Sequence, residues 1–342
     1  MTFLKKIESF SKEKNLFFPG NKILIAISGG PDSVSLLCAL NELRHNLGIN
    51  LYAAHLNHGI RKDSNKDEKF VKSLCSKLNI SCTIKRIKIK KKSQSLEEAA
   101  REQRIQFLIN TAKKYKIDSV AIGHTSDDLA ETVLMRIIRG AGLYGIRSIL
   151  PKRHLNGTMF IRPMLTLTRN DVLKFLKKKQ IKFCVDSTNK QKVFMRNRIR
   201  LELIPALEKK YNPNIKNTLK NLCLQSSIDY EFLEENARDA FIKLVKFSNR
   251  SNNFSIKIDN FSKYHTSIQR LVIRFVIERL SGSTRKLTFS HIEEIEDLIL
   301  NRPNKSIVNL PNAIVVEKKS SMIIFYIHSK TKNSQLKKPR NS

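Results

Sequence analysis

Lys22-Ile23-Leu24-Ile25-Ala26-Ile27-Ser28-Gly29-Gly30-Pro31-Asp32-Ser33 is an apolar run that passes directly into a glycine pair. A short apolar run bounded by turn residues reads as a strand buried on both faces. Paired glycines let the backbone turn sharply and expose consecutive N–H groups. Residues 34–43 then follow a helical pattern that ends near Gly48, and the start of a helix adds partial positive charge. The hydroxyls of Ser28 and Ser33 can donate to an anion. The stretch therefore predicts strand, turn and helix, with an oxyanion cradle formed by Ser28, Gly29, Gly30, Pro31, Asp32 and Ser33. An ordinary glycine-rich turn is the plainer alternative. Serine at both ends and Asp at the fifth place favour the cradle, which matches neither the Walker pattern nor G-x-G-x-x-G.

Working outward, residues 51–55, 80–89 and 118–123 read as further strands. Residues 64–78, 96–115 and 126–139 read as helices, the second with Ser95 as its cap. Strands that alternate with helices predict an α/β fold, a parallel sheet with helices on both faces. Gly140, Gly142 and Gly145 interrupt the pattern, a helix follows over residues 168–179, and residues 186–205 are polar and basic. Pro205 and Pro213 bracket a charged stretch and suggest a domain boundary. The expected organisation is a catalytic domain over residues 1–210 and a smaller, mainly helical domain over 211–328, with a basic, disordered tail over 329–342. Helical patterns cover 216–247, 264–280 and 288–300, and residues 307–316 and 322–327 look like a closing pair of strands.

The chain has 342 residues with 41% hydrophobic and 27% charged, which suits two cores and argues against global disorder. Lys+Arg is 64 against Asp+Glu 30, a net charge of +34. Such an excess points to a polyanionic partner, with lysine-rich codon usage as a second contributor. The five cysteines, Cys38, Cys75, Cys82, Cys184 and Cys223, show no C-x-x-C spacing. That speaks against a disulfide framework, a zinc knuckle or a cysteine-held cluster. No signal-peptide or membrane-spanning run is visible, so a cytoplasmic protein without membrane contact is expected.

Seven further segments follow the glycine turn in order. They are His55-Leu56-Asn57-His58-Gly59-Ile60-Arg61, Glu98-Ala99-Ala100-Arg101 with Arg104, and Gly123-His124-Thr125-Ser126-Asp127-Asp128 with Glu131-Thr132. Arg139-Gly140-Ala141-Gly142, Arg162-Pro163-Met164-Leu165, Asp186-Ser187-Thr188-Asn189 and Phe194-Met195-Arg196-Asn197-Arg198-Ile199-Arg200 complete the set. S-G-G-x-D-S after a first strand resembles the PP-loop ATP pyrophosphatases, with an adenine-nucleotide α-hydrolase-like fold. The full series, over roughly residues 20–205, resembles the bacterial tRNA(Ile)-lysidine synthetase family.

That resemblance implies an ATP-dependent ligase. ATP would adenylate the C2 oxygen of the wobble cytidine in a tRNA(Ile) with a CAU anticodon. The amine of free L-lysine would then displace AMP to give lysidine. Implied catalytic residues are Asp32, His124, Asp127, Asp128, Glu131 and Arg196. Implied nucleotide contacts are the Ser28–Ser33 turn with Asn57, His58, Arg61, Arg101 and Gly123.

The residues make sense of these roles. Asp128 and Glu131 are three apart and Asp127 and Glu131 four apart, so one helix face can present carboxylates together. Such a cluster suits an ammonium group, Mg²⁺ on Asp127 and Asp128, or a base for the attacking amine. Which acid takes lysine and which takes metal stays open. Arg196, Arg198 and Arg200 offer bidentate phosphate contacts, and Tyr144, Phe160, Phe194 and Tyr211 are candidates for stacking on an unstacked base. Each of these features also has a plain reading as solvated surface or core.

The chain departs from the family in carrying Thr125 where a second His is common and Leu129 where Gln is common. An additional C-terminal module of longer members is not expected here. The helical C-terminal part is compatible with a homodimer. Among competing classes, a PP-loop tRNA thiolase calls for paired cysteines. A small-molecule ligase of the NAD or GMP synthetase type does not call for +34. A non-catalytic RNA-binding protein does not explain the acids.

Overall fold

The computed structural model describes residues 1–59, 64–87, 96–185, 194–284 and 286–328, with Leu96 and Glu97 followed as backbone only. Arg61, the Asp186–Asn189 segment and the basic tail lie outside the described residues. The described chain forms two compact units, Met1–Ser227 and Ile228 onward.

The first unit opens with α1 (Phe3–Glu13), followed by β1 (Lys22–Ala26), α2 (Pro31–Leu47), β2 (Asn50–Asn57), α3 (Ser64–Lys77) and β3 (Ser81–Arg86). Then come α4 (Leu96–Lys114), β4 (Ser119–Ala121), α5 (Ser126–Ile138) and the short α6 (Leu143–Ile146). A hairpin of β5 (Lys152–Leu155) and β6 (Thr158–Ile161) precedes α7 (Arg169–Lys178). The sheet order is β3-β2-β1-β4-β6-β5, parallel except for β5 at its edge.

Alternation along β1 explains the layering. Ile23, Ile25 and Ile27 join a core built with α1, α2, α5 and α7, whereas Leu24 joins Phe107, Leu108 and Ile109 of α4 on the opposite face. A strand buried on both faces reads as a continuous apolar run, as this one does. The β5–β6 hairpin turns on Asn156 (φ 49°) and Gly157 (φ 76°), two positive-φ residues in a row. That is the geometry Asn-Gly favours in two-residue hairpins. Its first strand is polar and largely solvent-exposed, so no hydrophobic pattern announces it.

Residues 195–210 are helical: α8 (Met195–Arg198), a π turn over Ile199–Leu203 and α9 (Ile204–Lys210). Pro205 lies within this helical stretch, directly after the π turn, so it marks no linker. The division between units falls inside α10 (Ile215–Leu244).

The second unit continues with β7 (Val245–Ser248), β8 (Asn253–Lys257), α11 (Ile258–Phe261), α12 (Thr266–Ser281) and α13 (Phe289–Leu300). It ends with β9 (Ile307–Leu310), β10 (Ile314–Lys319) and β11 (Met322–Ile327). Its helices pack with a five-stranded antiparallel sheet in the order β7-β8-β11-β10-β9. The first strand of the expected closing pair, residues 307–316, is divided by a turn at Pro311–Ala313 into β9 and the start of β10, and the second is β11. The helical pattern over 216–247 overran into β7, and the alternation Phe254, Ile256 marks β8, whose apolar side is buried. No described helix is long and apolar enough to cross a membrane.

Candidate active site

The chain leaves β1 and turns at Ser28-Gly29-Gly30 into α2. Strands β2 and β3 lie to one side of β1 and β4 to the other, so the C-terminal ends of β1 and β4 form a topological switch point. Ligands collect at such a crevice in open α/β sheets. A cavity of about 770 Å³ lies there, bounded by the Ser28–Ser33 turn, the end of β2, Gly123, His124, α4 and the Phe194–Arg200 segment. The size suits a nucleotide.

Gly29 adopts φ +89°, a left-handed conformation open to glycine without strain, and Gly30 caps α2 with Pro31 as the first helical residue. Ser33 fastens the turn from within. Its hydroxyl donates to the Gly30 carbonyl at 3.0 Å and accepts from the Ser28 N–H at 3.1 Å. Ser33 is thus engaged inside the loop rather than free to donate to an anion. The Ser28 hydroxyl lies 3.1 Å from it and also lines the cavity. Gly123 has a separate reason to be glycine: a Cβ there would stand 2.8 Å from the Asp32 carbonyl oxygen. Its absence lets β4 approach the start of α2.

Asp32 pairs with the guanidinium of Arg169 at the cavity wall. Its Oδ1 is buried with no partner. Burial lifts the Asp32 carboxyl to about 6, against the opposing pull of Arg169.

Helix α5 begins with a capping box. Thr125 accepts from the Asp128 N–H, and Asp128 Oδ2 accepts from the Thr125 N–H at 2.8 Å. Asp128 Oδ1 accepts from Arg196 Nη2 at 2.8 Å. Burial, the largest single influence, would raise the Asp128 carboxyl; Arg196, His124, the Thr125 N–H and Arg200 together outweigh it and hold the group below the usual carboxylate range. Glu131, 1% exposed, accepts from Arg196 Nε at 2.8 Å and from Arg200 Nε at 2.5 Å. Asp128 and Glu131 therefore share Arg196, as their three-residue spacing allows.

Asp127 faces elsewhere. Its Oδ2 accepts from the Arg169 backbone N–H at 2.7 Å, and its Oδ1 lies 3.1 Å from Lys216 Nζ. It does not line the cavity. A turn of 100° per residue separates it from Asp128, so the expectation of a metal held by Asp127 and Asp128 together is not what this geometry offers. The carboxylates brought to one wall are Asp32 and Asp128. The orphaned Oδ1 of Asp32 beside the phosphate cradle suits a hard cation.

His124 lines the cavity, and its Nδ1 accepts from Arg162 Nε at 3.1 Å. An acceptor at Nδ1 places the hydrogen on Nε2. Burial lowers the imidazole to about 3, with Arg162, Arg196 and Arg104 adding to the effect and Asp128 opposing it. His124 is thus a neutral hydrogen-bond donor near pH 7.

On β2, Asn57 is buried and committed to the protein. Its amide donates to Glu68 at 2.8 Å, and its carbonyl accepts from the Gly59 N–H at 2.9 Å. Glu68 in turn holds Arg86 through two bonds of 2.8 Å. Asn57 shapes the loop end of the cavity, and His58 lines it. Arg101 is exposed on α4 and does not line the cavity, whereas Arg104, one turn on, does. Enclosure by the cavity, then Arg101 and Arg196, push the Arg104 guanidinium below its ordinary value, although water still reaches the side chain.

Of the stacking candidates, Phe160 is core, Phe194 lines the cavity, and Tyr144 and Tyr211 are exposed. Sequence reasoning missed Arg169, Asp67 and Lys216. Only Arg169 carried a signal, because a cation in the first turn of a helix opposes the helix dipole.

A profile of the PP-loop domain matches residues 1–207. The chain is 38% identical over 316 residues to a Clostridium perfringens protein named tRNA(Ile)-lysidine synthase, covering 91% of this chain and 66% of that one. It is 34% identical over 329 residues to a Clostridioides difficile protein of the same name, covering 95% and 70%. The chain thus spans about two thirds of the length of these relatives. Among solved structures it is similar to the U34-tRNA thiolase NcsA of Methanococcus maripaludis, with TM-score 0.54 and 21% identity over 64% of this chain and 78% of that one. At that identity the likeness shows the fold alone.

Proposed function

This chain belongs to the PP-loop family, and within it to the tRNA(Ile)-lysidine synthases, and on that premise we propose that it joins free L-lysine to the wobble cytidine of a tRNA(Ile) with a CAU anticodon. ATP adenylates the C2 oxygen of the base, releasing pyrophosphate. The lysine amine then attacks C2 and AMP leaves. The observation that carries this reading is the cavity at the β1/β4 switch point, with the glycine turn on one wall and the Asp128–Arg196 pair on another.

Each wall has a task in this reading. The exposed backbone N–H groups of the turn and the start of α2 receive the phosphates. His124 donates from Nε2 without carrying charge. Glu131, saturated by two guanidiniums, acts as an anchor that fixes Arg196 and Arg200, rather than as a site for the lysine ammonium. The acids among the described lining residues are Asp32, Asp67 and Asp128, and these are the carboxylates that face the cavity where an ammonium would enter. Mg²⁺, when bound, supplies charge neutralisation for the triphosphate, and Asp32 and Asp128 would hold it. The described lining residues all belong to the first unit. A tRNA substrate supports a cytoplasmic location.

A thiolase reading is not favoured. Cys38, Cys75, Cys82, Cys184 and Cys223 offer no C-x-x-C pair.

The test is tRNA-dependent pyrophosphate release by the wild type and by Asp32→Asn. The variant is expected to lose release by about 100-fold or more, the scale of a group acting on the transition state, and to keep tRNA binding. Unchanged release would place the nucleotide elsewhere.

A further inference from the structure

Arg169 lines the cavity beside the glycine turn, and no sequence motif pointed to it. It is the first residue of α7, after the cap Thr168. Helix stability does not explain a cation there, since the dipole disfavours it; Asp171, two residues on, is the acid that suits the position. Two contacts fix Arg169 instead. Its guanidinium meets Asp32, and its backbone N–H donates to Asp127 at 2.7 Å. Asp127 is held from its other side by Lys216, which also reaches Glu208 at 3.2 Å. Asp127 is thereby placed behind the cavity wall, where it aims Arg169.

Three neighbouring arginines are committed to the protein: Arg196 and Arg200 are held by Asp128 and Glu131, while Arg162 donates to His124 and to the Leu150 carbonyl. Arg104 of α4 lines the cavity as well. The Arg169–Asp32 pair differs on its acidic side: Asp32 is 25% exposed, against 14% for Asp128 and 2% for Glu131, and both partners line the cavity beside the glycine turn. A partly exposed pair is held less firmly than an enclosed one.

We propose that Arg169 is a phosphate-binding residue that leaves Asp32 for the β- and γ-phosphates when nucleotide enters, with Asp127 as its positioning residue. This deepens the nucleotide reading above and rests on it. In the adenylation step the bond from the α-phosphorus to the bridging oxygen breaks, and its electron pair goes to pyrophosphate. A new bond forms between that phosphorus and the acceptor oxygen. Arg169 then faces the charge that grows on the leaving pyrophosphate.

The experiment uses the full chain and two probes, inorganic pyrophosphate and AMP, each titrated calorimetrically. Arg169→Ala is expected to weaken pyrophosphate about 10- to 100-fold, the worth of one charge-assisted contact, with AMP changed less than about twofold. Arg169→Lys should recover part of the loss. Asp127→Asn should weaken pyrophosphate in the same direction and by less. Equal weakening of both probes, or none of pyrophosphate, would overturn the assignment. Thermal unfolding of each variant separates a misfolded chain from a functional loss, and Arg169→Lys serves where Arg169→Ala does not fold. Failure of the wild type to bind either probe would instead overturn the nucleotide reading itself.

Discussion

Glu131 and Arg196 form the most enclosed ion pair at the candidate site: Arg196 Nε donates to Glu131 Oε2 at 2.8 Å, and the glutamate is 1% exposed. Arg200 completes the carboxylate's coordination through Oε1. Removing the anion from such a pair leaves guanidiniums without their counter-charge. We expect Glu131→Gln to lose stability toward the lower end of about 3–5 kcal/mol, because Arg196 remains partly solvated. A double-mutant cycle with Arg196→Gln, read by denaturant unfolding, should show strong coupling. Additive losses would mean that the pair is not the unit.

The close approach of β4 to α2 gives a second expectation. Gly123→Ala puts a methyl group 2.8 Å from the Asp32 carbonyl, which is rigid backbone. The cost should be about 1–3 kcal/mol, the usual range for overpacking, with weakened nucleotide binding. Gly142→Ala, which meets nothing within 4 Å, is the matched control. Equal behaviour of the two variants in thermal unfolding and nucleotide titration would contradict the packing.

His124 predicts a pH dependence. Burial holds its folded value at about 3 against an ordinary 6.5, so the unfolded chain binds the extra proton between those limits. Its contribution to stability is present above about 6.5 and is lost as pH falls toward 3. The slope from one such proton is at most about 1.4 kcal/mol per pH unit. His124→Asn should flatten the loss of stability between pH 6.5 and 5, measured by chemical denaturation. A wild-type slope retained in the variant would assign the effect to other groups.

The charge of +34 predicts salt sensitivity. Affinity for tRNA should fall by about 10³-fold or more between roughly 50 and 200 mM salt if six or more phosphates are contacted. A flat response in filter binding would remove electrostatics from the recognition of RNA.

Much of the first unit was legible because its signals are local. The apolar run of β1, the glycine turn and the helical spacing in α2 each carry their own cause. The β5–β6 hairpin was overlooked although Asn156-Gly157 announces it, since Lys152, Arg153 and His154 offer no apolar alternation to accompany the turn. Placement of the acids was only half legible. Spacing allowed Asp127, Asp128 and Glu131 to share a face. Which way Asp127 points was decided by Lys216 and the start of α7, segments far away in sequence. Arg169 escaped notice for the same reason: its partner Asp32 is 137 residues distant.

The most direct measurement is transfer of labelled lysine. Purified protein receives ATP, Mg²⁺, labelled lysine and unmodified tRNA with a CAU anticodon, and a parallel reaction receives the same tRNA with its wobble cytidine replaced. Label in the first tRNA alone, with AMP and pyrophosphate released, is the predicted result. Label in neither or in both would contradict the assignment of lysine to the wobble cytidine.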